Sequence, residues 1–319
     1  SDPAPAVPVG ERPRSTPPVR LLARRLGVDL TTLTGSGPHG VIVREDVERA
    51  AQGGAPDPEA TPSAAEASPT APEDAAVPAG RTLGGRPRVE VEPVRGVRKA
   101  TAAAMVQSAF TAPHVTEFLT VDVTESLELI EELKRDRAFR DVKLTPMTLA
   151  ARACVLAMER TPEVNARWYE ASGSIHRQNF VNLGFAAATP RGLMVPNVKD
   201  AQGMDLRALA QEIAALTGRA REGALTPGEL TGGTFTLTNV GVFGVDTGTP
   251  IINPGEAAIL CLGAVRRQPW EHRGEIALRD MVTLSLSFDH RLVDGEQGSR
   301  FLADVGALLR RPGMTLALV

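Results

Sequence analysis

A long segment poor in large side chains limits most strongly what this chain can fold into. Residues 52–92 consist mainly of Ala, Pro, Gly, Ser, Thr and Glu. Such a segment buries too little apolar surface to offset its ordering entropy, and its prolines keep the backbone extended. The chain is therefore predicted to contain a linker at 1–16, a small domain at 17–51, a flexible Ala/Pro-rich linker at 52–93 and a large domain at 94–319.

The small domain has the pattern of two short helices. Apolar residues at positions 19, 22, 23 and 26 follow helical spacing, and Gly27 is predicted to end the first helix. A glycine-rich loop at 35–40 leads to a second helix that begins near Glu45. Basic residues follow the same segments, at Arg20, Arg24, Arg25 and Arg44. They form either a solvated face or an electrostatic docking patch for an acidic partner.

The large domain mixes helical and strand patterns that do not alternate strictly. Helices are predicted at 97–110, at 124–134 with Thr124 as the capping residue, from 146 onward, at 205–221 and at 295–309. Strands are predicted at 115–123, 180–187, 234–239, 257–264 and 282–288. This order predicts an α+β domain in which helices cover a mixed sheet.

Composition excludes several functional classes. Net charge is −3, and the small basic domain lacks interleaved aromatic residues, which argues against nucleic-acid binding. No apolar run approaches the roughly 20 residues that a membrane helix needs. Cys154 and Cys261 lie in apolar stretches without metal-ligand spacing, so we expect buried thiols, no metal and a reducing, cytoplasmic compartment. The sequence begins without Met, which suggests a fragment.

One segment, residues 282–295, combines a strand pattern with candidate catalytic groups. Even-numbered positions from 282 to 288 are apolar, so they are predicted to face the core, and His290 follows on the same parity. A desolvated, neutral imidazole there could act as a general base. Asp294 precedes Gly295 and could fix the turn, for instance by pairing with an arginine. Without further information, the sequence pattern leaves open whether His290 is catalytic or purely structural. Four other histidines have weaker contexts; of His39, His114, His176 and His272, only His114 is a candidate to line a pocket.

These motifs resemble those of a known enzyme family. His290-Arg-Leu-Val-Asp-Gly295 matches the signature of the dihydrolipoyl acyltransferases (E2) of 2-oxo-acid dehydrogenase complexes and of chloramphenicol acetyltransferase. Further matches occur in the same order as in the family, at residues 98–100, 113–114, 121–124, 192–199, 230–241 and 252–254. Residues 17–29 and 35–40 resemble the family's peripheral subunit-binding domain. The resemblance implies a chloramphenicol acetyltransferase-like, two-layer mixed-sheet catalytic domain and a small all-α binding domain.

The resemblance also implies a chemistry. His290 would deprotonate the thiol of coenzyme A or dihydrolipoamide, and the thiolate would attack a thioester carbonyl. Thr238, where the family has a serine, would donate a hydrogen bond to the resulting oxyanion, and Asp294 would orient the site. Residues that match the family's coenzyme A channel are Thr145, Thr189, Thr238, Asn239, Gly263 and Val265. Ile130 stands where the family often has an arginine.

Partners follow from the same resemblance. Arg20 and Arg24 occupy the positions that dock the E1 decarboxylase and the E3 dihydrolipoamide dehydrogenase. A third family arginine is replaced by Val41, for which Arg44 or Arg25 could substitute. Family members form trimers with each active site between two subunits, and these trimers build 24- or 60-subunit cores. The apolar residues 316–319 fit the terminal segment that makes contacts between trimers. The alternative is that they form a frayed hydrophobic tail. The lipoyl group would be carried by a domain that this sequence does not contain.

Two questions stay open at the level of sequence. A catalytically silent E2-like tethering protein would keep the same fold, although retention of His290 and Asp294 argues against it. The acyl group is ambiguous: residues 117–122 and 236–238 favour branched-chain acyl groups, acetyl is close behind, and succinyl is less favoured.

Overall fold

A computed structural model describes residues 15–37, 40–51, 82–190 and 192–317. Contacts divide the chain into two compact units, with the division after Arg88. Most of the two predicted linkers lies outside the described residues, as do His39 and the last two residues of the apolar tail. The linker limits at 16, 52 and 93 therefore stay predictions.

The first unit contains the two predicted helices, α1 (Pro17–Leu26) and α2 (Arg44–Ala51). Gly27 ends α1 in the left-handed conformation, with φ of 69°, which a residue with a side chain rarely adopts. The small core is built from the buried side chains of Val19, Ala23, Ile42 and Val47.

The loop between α1 and α2 is fixed by Asp46. Its buried carboxylate accepts hydrogen bonds from the backbone N–H groups of Ser36 (2.9 Å) and Val43 (3.0 Å). Burial alone would raise the pKa of Asp46, but these hydrogen bonds and the charge of Arg49 lower it overall. Gly35 packs so closely on the backbone around Val41 that a Cβ would collide with it. Asp46 and Gly35 thus help to hold the loop between the two helices in place.

The second unit contains a mixed sheet, hairpins and helices. Its described helices are α3 (Gly96–Thr111), α4 (Thr124–Arg135), α5 (Pro146–Met158), α6 (Leu206–Glu222), α7 (Pro227–Leu230) and α8 (Gly295–Arg310). Its described strands are β1 (His114–Asp122), β2 (Ala166–Tyr169), β3 (Ser174–Arg177), β4 (Leu183–Phe185), β5 (Ala187–Thr189), β6 (Gly192–Met194), β7 (Asn197–Val198), β8 (Phe235–Asn239), β9 (Ala258–Leu262), β10 (Arg266–His272) and β11 (Glu275–Asp289).

The main sheet has the strand order β1-β11-β9-β8-β4-β7, and β10 pairs with the first half of β11. Strand β8 runs parallel to β4 and β9, whereas the other pairings are antiparallel. The predicted α+β class with a mixed sheet is therefore confirmed. Two hairpins, β2–β3 and β5–β6, form separate small sheets.

The C-terminal part of strand β11, from residue 281 onward, is buried on both faces except for the half-buried Thr283. Its even-numbered apolar residues from 282 to 288 join the core cluster formed with α4, α5, α6 and α8. On the opposite face, Ser285 shares a hydrogen bond with Thr247 (2.6 Å) and Ser287 shares one with Thr116 (2.8 Å). The alternation predicted from sequence thus separates apolar from hydroxyl side chains, and hydrogen bonds allow the hydroxyl face to be buried.

Some local expectations were wrong. Thr124 does not cap α4; Val123 is the cap residue, and the N–H and hydroxyl of Thr124 both bond to Asp122 (3.0 and 2.6 Å). The strand expected at 180–187 is divided between β4 and β5. The hairpin β2–β3 and strand β10 were not predicted. Among the described helices, none combines the length and apolar character needed to cross a bilayer.

Candidate active site

The turn that carries His290 is fixed by an ion pair between a buried carboxylate and a half-buried guanidinium. Asp289, the last residue of β11, is 2% exposed. Its carboxylate accepts bidentate hydrogen bonds from the Arg291 guanidinium (2.6 to 3.2 Å) and a further bond from the Arg291 backbone N–H. That guanidinium lies 5.1 Å from the Trp168 ring centroid. The backbone of His290 is held as well, because its N–H donates to the Pro113 carbonyl (2.9 Å).

The imidazole of His290 is exposed in the single chain, contrary to the predicted desolvation. The strand ends at Asp289, and the next residue leaves the sheet before neighbouring elements can cover it. The ring centroid lies 6.1 Å from that of Phe288. The ring is therefore not enclosed within one chain, and any water-excluded environment for His290 has to come from another subunit or from substrate.

Asp294 is the N-cap of α8. Its carboxylate accepts from the Gln297 N–H (2.8 Å), and the Gln297 side chain accepts from the Asp294 N–H (3.0 Å), which completes a capping box. No ion pair joins Asp294 to an arginine of the described chain; the arginine pairing suggested for it is made by Asp289 instead. Asp294, four residues after His290, thus sets where α8 begins.

Removal of this cap has a measurable cost. We expect Asp294→Ala to destabilise the catalytic domain by about 1 kcal/mol, because the first turn of α8 loses its side-chain acceptor. Asp294→Asn should have nearly the same unfolding midpoint as wild type, since asparagine caps a helix equally well. Thermal unfolding midpoints of the two variants test this, and equal midpoints for the alanine variant and wild type would contradict the capping role.

Thr238 has a free hydroxyl group. It lies half-buried near the end of β8, and within the described chain its hydroxyl makes no hydrogen bond. Thr236, two residues earlier on the same face, accepts a bond from the Asn253 side chain (2.7 Å). The hydroxyl of Thr238 is thus available to donate to a substrate oxygen.

Thr238 and His290 are far apart within one chain. Thr238 lies opposite Cys261 of β9, whereas Phe288, two residues before His290, lies opposite Ala258. At about 3.3 Å per residue and about 4.8 Å between neighbouring strands, this register separates the two residues by roughly 20 Å. The structure therefore does not bring these predicted residues into one intrachain site.

Four of the predicted coenzyme A residues line one cavity. Thr145, Asn239, Gly263 and Val265 surround a space of about 610 Å³. The cavity lies between the first turn of α5, one face of α6 and the turns that follow β8 and β9. Thr145 caps α5 by accepting from the Thr148 N–H (3.3 Å). The cavity is large enough for part of an extended ligand.

Close backbone contact shapes one side of this cavity. Gly241 follows β8 and Gly263 follows β9, and a Cβ at either position would collide with neighbouring backbone. Thr189 does not line the cavity; it lies in the β5–β6 hairpin, where its hydroxyl donates to the Gly192 carbonyl. Ile130 is buried in the core and offers no charge to a ligand.

His114 is held by the backbone. Its Nδ1 donates to the Ala112 carbonyl (2.7 Å), and its Nε2 accepts from the Ile252 N–H (3.0 Å). Both ring nitrogens are therefore occupied, and the side chain links β1 to the loop before β9. The suggestion that His114 lines a pocket is replaced by this structural role.

Sequence reasoning missed a buried carboxyl group, Glu256, in the loop before β9. Its Oε2 atom has no hydrogen-bond partner among the described residues. Burial raises the pKa of Glu256 to about 7, although hydrogen bonds with Thr236 and Asn253 and the charge of Arg167 oppose the shift. The glutamate precedes Ala257, whose carbonyl accepts from the Asp289 N–H beside the His290 turn.

This carboxyl group should make stability depend on pH. A folded-state pKa raised to about 7 from the ordinary value of 4.5 means that the native protein holds a proton that the unfolded chain releases. Stability should therefore fall as pH rises from about 5 to 8, by an amount on the order of 3 kcal/mol. Glu256→Gln should remove this part of the pH dependence. Unfolding midpoints at pH 5 and pH 8 test it, and identical pH profiles for the variant and wild type would exclude Glu256 as the cause.

The residues of the first unit that are predicted to dock partners are accessible. Arg20, Arg24 and Arg25 are exposed along α1, and Leu21, between them, is 60% exposed. Arg44 is instead paired with Glu48 (2.7 Å). Of the two suggested substitutes for the missing third arginine, Arg25 is therefore the one whose charge is free within the described chain.

Each of the two units matches a known protein family. Residues 86–317 match the catalytic domain of the 2-oxoacid dehydrogenase acyltransferases, and residues 13–48 match the E3-binding domain. A relative from Staphylococcus aureus (strain COL), the dihydrolipoyllysine-residue acetyltransferase component of the pyruvate dehydrogenase complex, is 37% identical over 303 residues. The match covers 95% of this chain and 70% of the relative.

Solved structures show the same fold. The cubic core of a pyruvate dehydrogenase complex is 32% identical, with a TM-score of 0.67, and the match covers 75% of this chain and 100% of that one. The dihydrolipoamide acetyltransferase of Azotobacter vinelandii is 32% identical, with a TM-score of 0.68, and the match covers 72% of this chain and 94% of that one.

The Azotobacter structure belongs to a study of a serine, a histidine and an asparagine in the catalytic mechanism. That histidine lies 52 residues after the serine and 4 before the asparagine, the same spacing that separates Thr238, His290 and Asp294 here. With the fold, both domain matches and this spacing in agreement, the chain belongs to the 2-oxoacid dehydrogenase acyltransferases and is an E2 component, with a CoA-dependent catalytic domain and an E3-binding domain.

Proposed function

We propose that this E2 transfers an acetyl group between dihydrolipoamide and coenzyme A. The branched-chain preference suggested by the sequence is not confirmed, and the relatives described above are acetyltransferases of pyruvate dehydrogenase complexes. The observation that carries the mechanism is the common spacing of Thr238, His290 and Asp294 with the three residues studied in the Azotobacter enzyme.

His290 acts as the general base in this proposal. Its imidazole takes the proton of the attacking thiol, and the thiolate sulfur forms a bond to the thioester carbonyl carbon. The Thr238 hydroxyl donates a hydrogen bond to the tetrahedral oxyanion. When the intermediate collapses, the original carbon–sulfur bond breaks, and the departing thiolate recovers the proton from His290. Asp294 is a positioning residue, because its cap fixes the helix start next to the turn.

The active site lies between two subunits. About 20 Å separates Thr238 from His290 within one chain, so the two side chains of the same chain cannot act on the same thioester. In a cyclic trimer, His290 of one subunit faces Thr238 of its neighbour. We propose that such trimers assemble further into a larger core, as in the cubic core that this chain resembles.

Coenzyme A occupies the cavity lined by Thr145, Asn239, Gly263 and Val265. Asn239 directly follows Thr238, so a ligand there ends beside the proposed oxyanion donor. The other thiol, dihydrolipoamide, is delivered on a lipoyl-bearing domain.

Acyl specificity is tested by transfer from acetyl-CoA, isobutyryl-CoA and succinyl-CoA to free dihydrolipoamide. We expect kcat/KM to be highest for acetyl-CoA. A higher value for isobutyryl-CoA would restore the branched-chain assignment. No transfer from any of the three donors would favour the alternative, a tethering core protein without activity.

Partner docking is proposed to depend on α1. Arg20 and Arg24 lie four residues apart and so face the same side of the helix, with Arg25 beside them. We expect Arg20→Ala to weaken E3 binding about tenfold, and the loss to shrink at high salt because the contact is electrostatic. Arg140→Ala, which removes an exposed arginine of the catalytic unit, is the control. Titrations of E1 and E3 against each variant measure the effect, and equal affinities for Arg20→Ala and the control would remove Arg20 from this role.

A further inference from the structure

The β2–β3 hairpin places an aromatic ring against the ion pair that fixes the His290 turn. Trp168 of β2 is half-buried and packs against the core, and the Cζ atom of Arg291 lies over its ring, 5.1 Å from the centroid. The indole Nε1 donates to the Glu170 carboxylate (2.6 Å), which fixes the tilt of the ring. The ring, the guanidinium and the Asp289 carboxylate thus form one chain of contacts that ends one residue before His290.

The hairpin is itself anchored at its base. Asn165, the residue before β2, is buried, and its side-chain amide donates to the carbonyl groups of Gln178 (2.7 Å) and Phe180 (2.8 Å), which follow β3. Ala166, which shares a strand face with Trp168, is buried in the core. Trp168 is therefore held by a clamped two-stranded element and not by a free loop.

A cavity adjoins the ion pair, so close packing does not confine the guanidinium on every side. Its volume is about 570 Å³, and Trp168, Arg291 and Asp289 all line it. An arginine side chain has several rotatable bonds, and a planar guanidinium that lies over an aromatic ring keeps one orientation. Without the ring, Arg291 could turn toward the cavity and leave the buried Asp289 carboxylate with fewer donors, which is a costly arrangement.

We infer that Trp168 is a positioning residue for His290 and acts through Arg291 and Asp289. The inference rests on the proposed role of His290 as the general base. The Asp289 carboxylate accepts from the Arg291 backbone N–H (3.0 Å), and the Asp289 carbonyl accepts from the N–H groups of residues 292 and 293. The turn on which His290 lies is therefore organised by Asp289. A displacement of about 1 Å at a reacting group can cost about 10²-fold in rate.

The test compares Trp168→Leu and Trp168→Phe with wild type in the assembled protein. Leucine keeps an apolar contact with the core but offers no aromatic face to the guanidinium. We expect Trp168→Leu to lower kcat about tenfold, with the KM values for coenzyme A and dihydrolipoamide within about twofold of wild type. Phenylalanine keeps a ring, so Trp168→Phe should retain at least about half of kcat.

The next residue along β2 provides a matched control. Tyr169 points to the opposite face of the hairpin, where its ring centroid lies 4.2 Å from that of His176. Tyr169→Leu removes an aromatic ring from the same hairpin without touching the ion pair, and it should keep the kcat of wild type. Unfolding midpoints are measured for all variants, so that each rate refers to folded protein.

A double-mutant cycle separates positioning from a general loss of structure. Arg291→Lys keeps a positive charge beside Asp289 but lacks the planar group that lies over the ring. If Trp168 acts through Arg291, then adding Trp168→Leu to Arg291→Lys should lower kcat by less than about twofold further. An independent effect of the ring would lower kcat by about another tenfold.

Three results would overturn the inference: a normal kcat for Trp168→Leu, an equal loss in Trp168→Phe and Trp168→Leu, or additive losses in the cycle. His290→Ala is measured beside these variants. Near-normal turnover by His290→Ala would contradict the proposed function. An inactive His290→Ala together with a fully active Trp168→Leu would leave that function standing and contradict the inference about Trp168 alone.

Discussion

His290→Ala should lower kcat at least 10³-fold while the protein remains folded and assembled. A positioned general base typically contributes 10²–10⁴ in rate, and here one imidazole both accepts the thiol proton and returns it to the leaving thiolate. The measurement is steady-state transfer from acetyl-CoA to dihydrolipoamide, with each substrate varied. KM values should change little, because the ring acts on the proton and does not hold the rest of either substrate.

Stability separates this effect from simple damage to the fold. The imidazole is exposed in the single chain, and exposed side chains contribute little to unfolding free energy. The unfolding midpoint of His290→Ala should therefore match that of wild type. His114→Ala should give the opposite pattern, because His114 forms hydrogen bonds with two backbone groups. This substitution should destabilise the protein, but the molecules that remain folded should keep their activity. Near-normal turnover by His290→Ala would contradict the proposed mechanism.

Thr238→Val should reduce kcat by about 10²–10³, the usual effect of losing one oxyanion donor. Valine preserves the shape of the side chain and suits a β-strand, so the fold should be retained. Thr238→Ser keeps the hydroxyl group and should stay within about tenfold of wild type. The three kcat values test the assignment, and equal rates for the valine and serine variants would show that the hydroxyl group has no role.

Mixing the two inactive proteins tests whether the site is shared between subunits. When His290→Ala and Thr238→Val chains assemble together, an interface can receive its histidine from one chain and its threonine from the other. Random co-assembly at equal amounts should restore about a quarter of the sites. If each site lay within one chain, every chain in the mixture would carry a defect, and activity would not return.

Sequence patterns predicted elements with long, regular apolar spacing. α5 and α6 begin within a residue of the expected positions, because Thr145 and Asp205 cap them and both helices bury apolar residues. The core face of β11 was also predicted correctly from its alternation. In contrast, β10 and the β2–β3 hairpin are mostly exposed and so lack the apolar alternation that predicts a strand.

The site was predicted only at the level of residue types. The spacing of His290 and Asp294 identified them as candidates, but parity alone placed the imidazole on the core face. It could not show that β11 ends one residue earlier, where Arg291 pairs with Asp289. Likewise, the buried carboxyl group of Glu256 forms a hydrogen bond with Thr236, which lies 20 residues earlier on strand β8. Such contacts are set by tertiary packing and leave no local pattern.

Under the proposed mechanism, the strand register keeps the two parts of the active site apart in an isolated subunit. A newly made chain without its partner subunits would hold the base and the oxyanion donor without being able to combine them, so it should neither acylate dihydrolipoamide nor hydrolyse thioesters. Specific activity should then fall on dilution in step with dissociation, which makes the reaction rate itself a measure of how tightly the subunits associate.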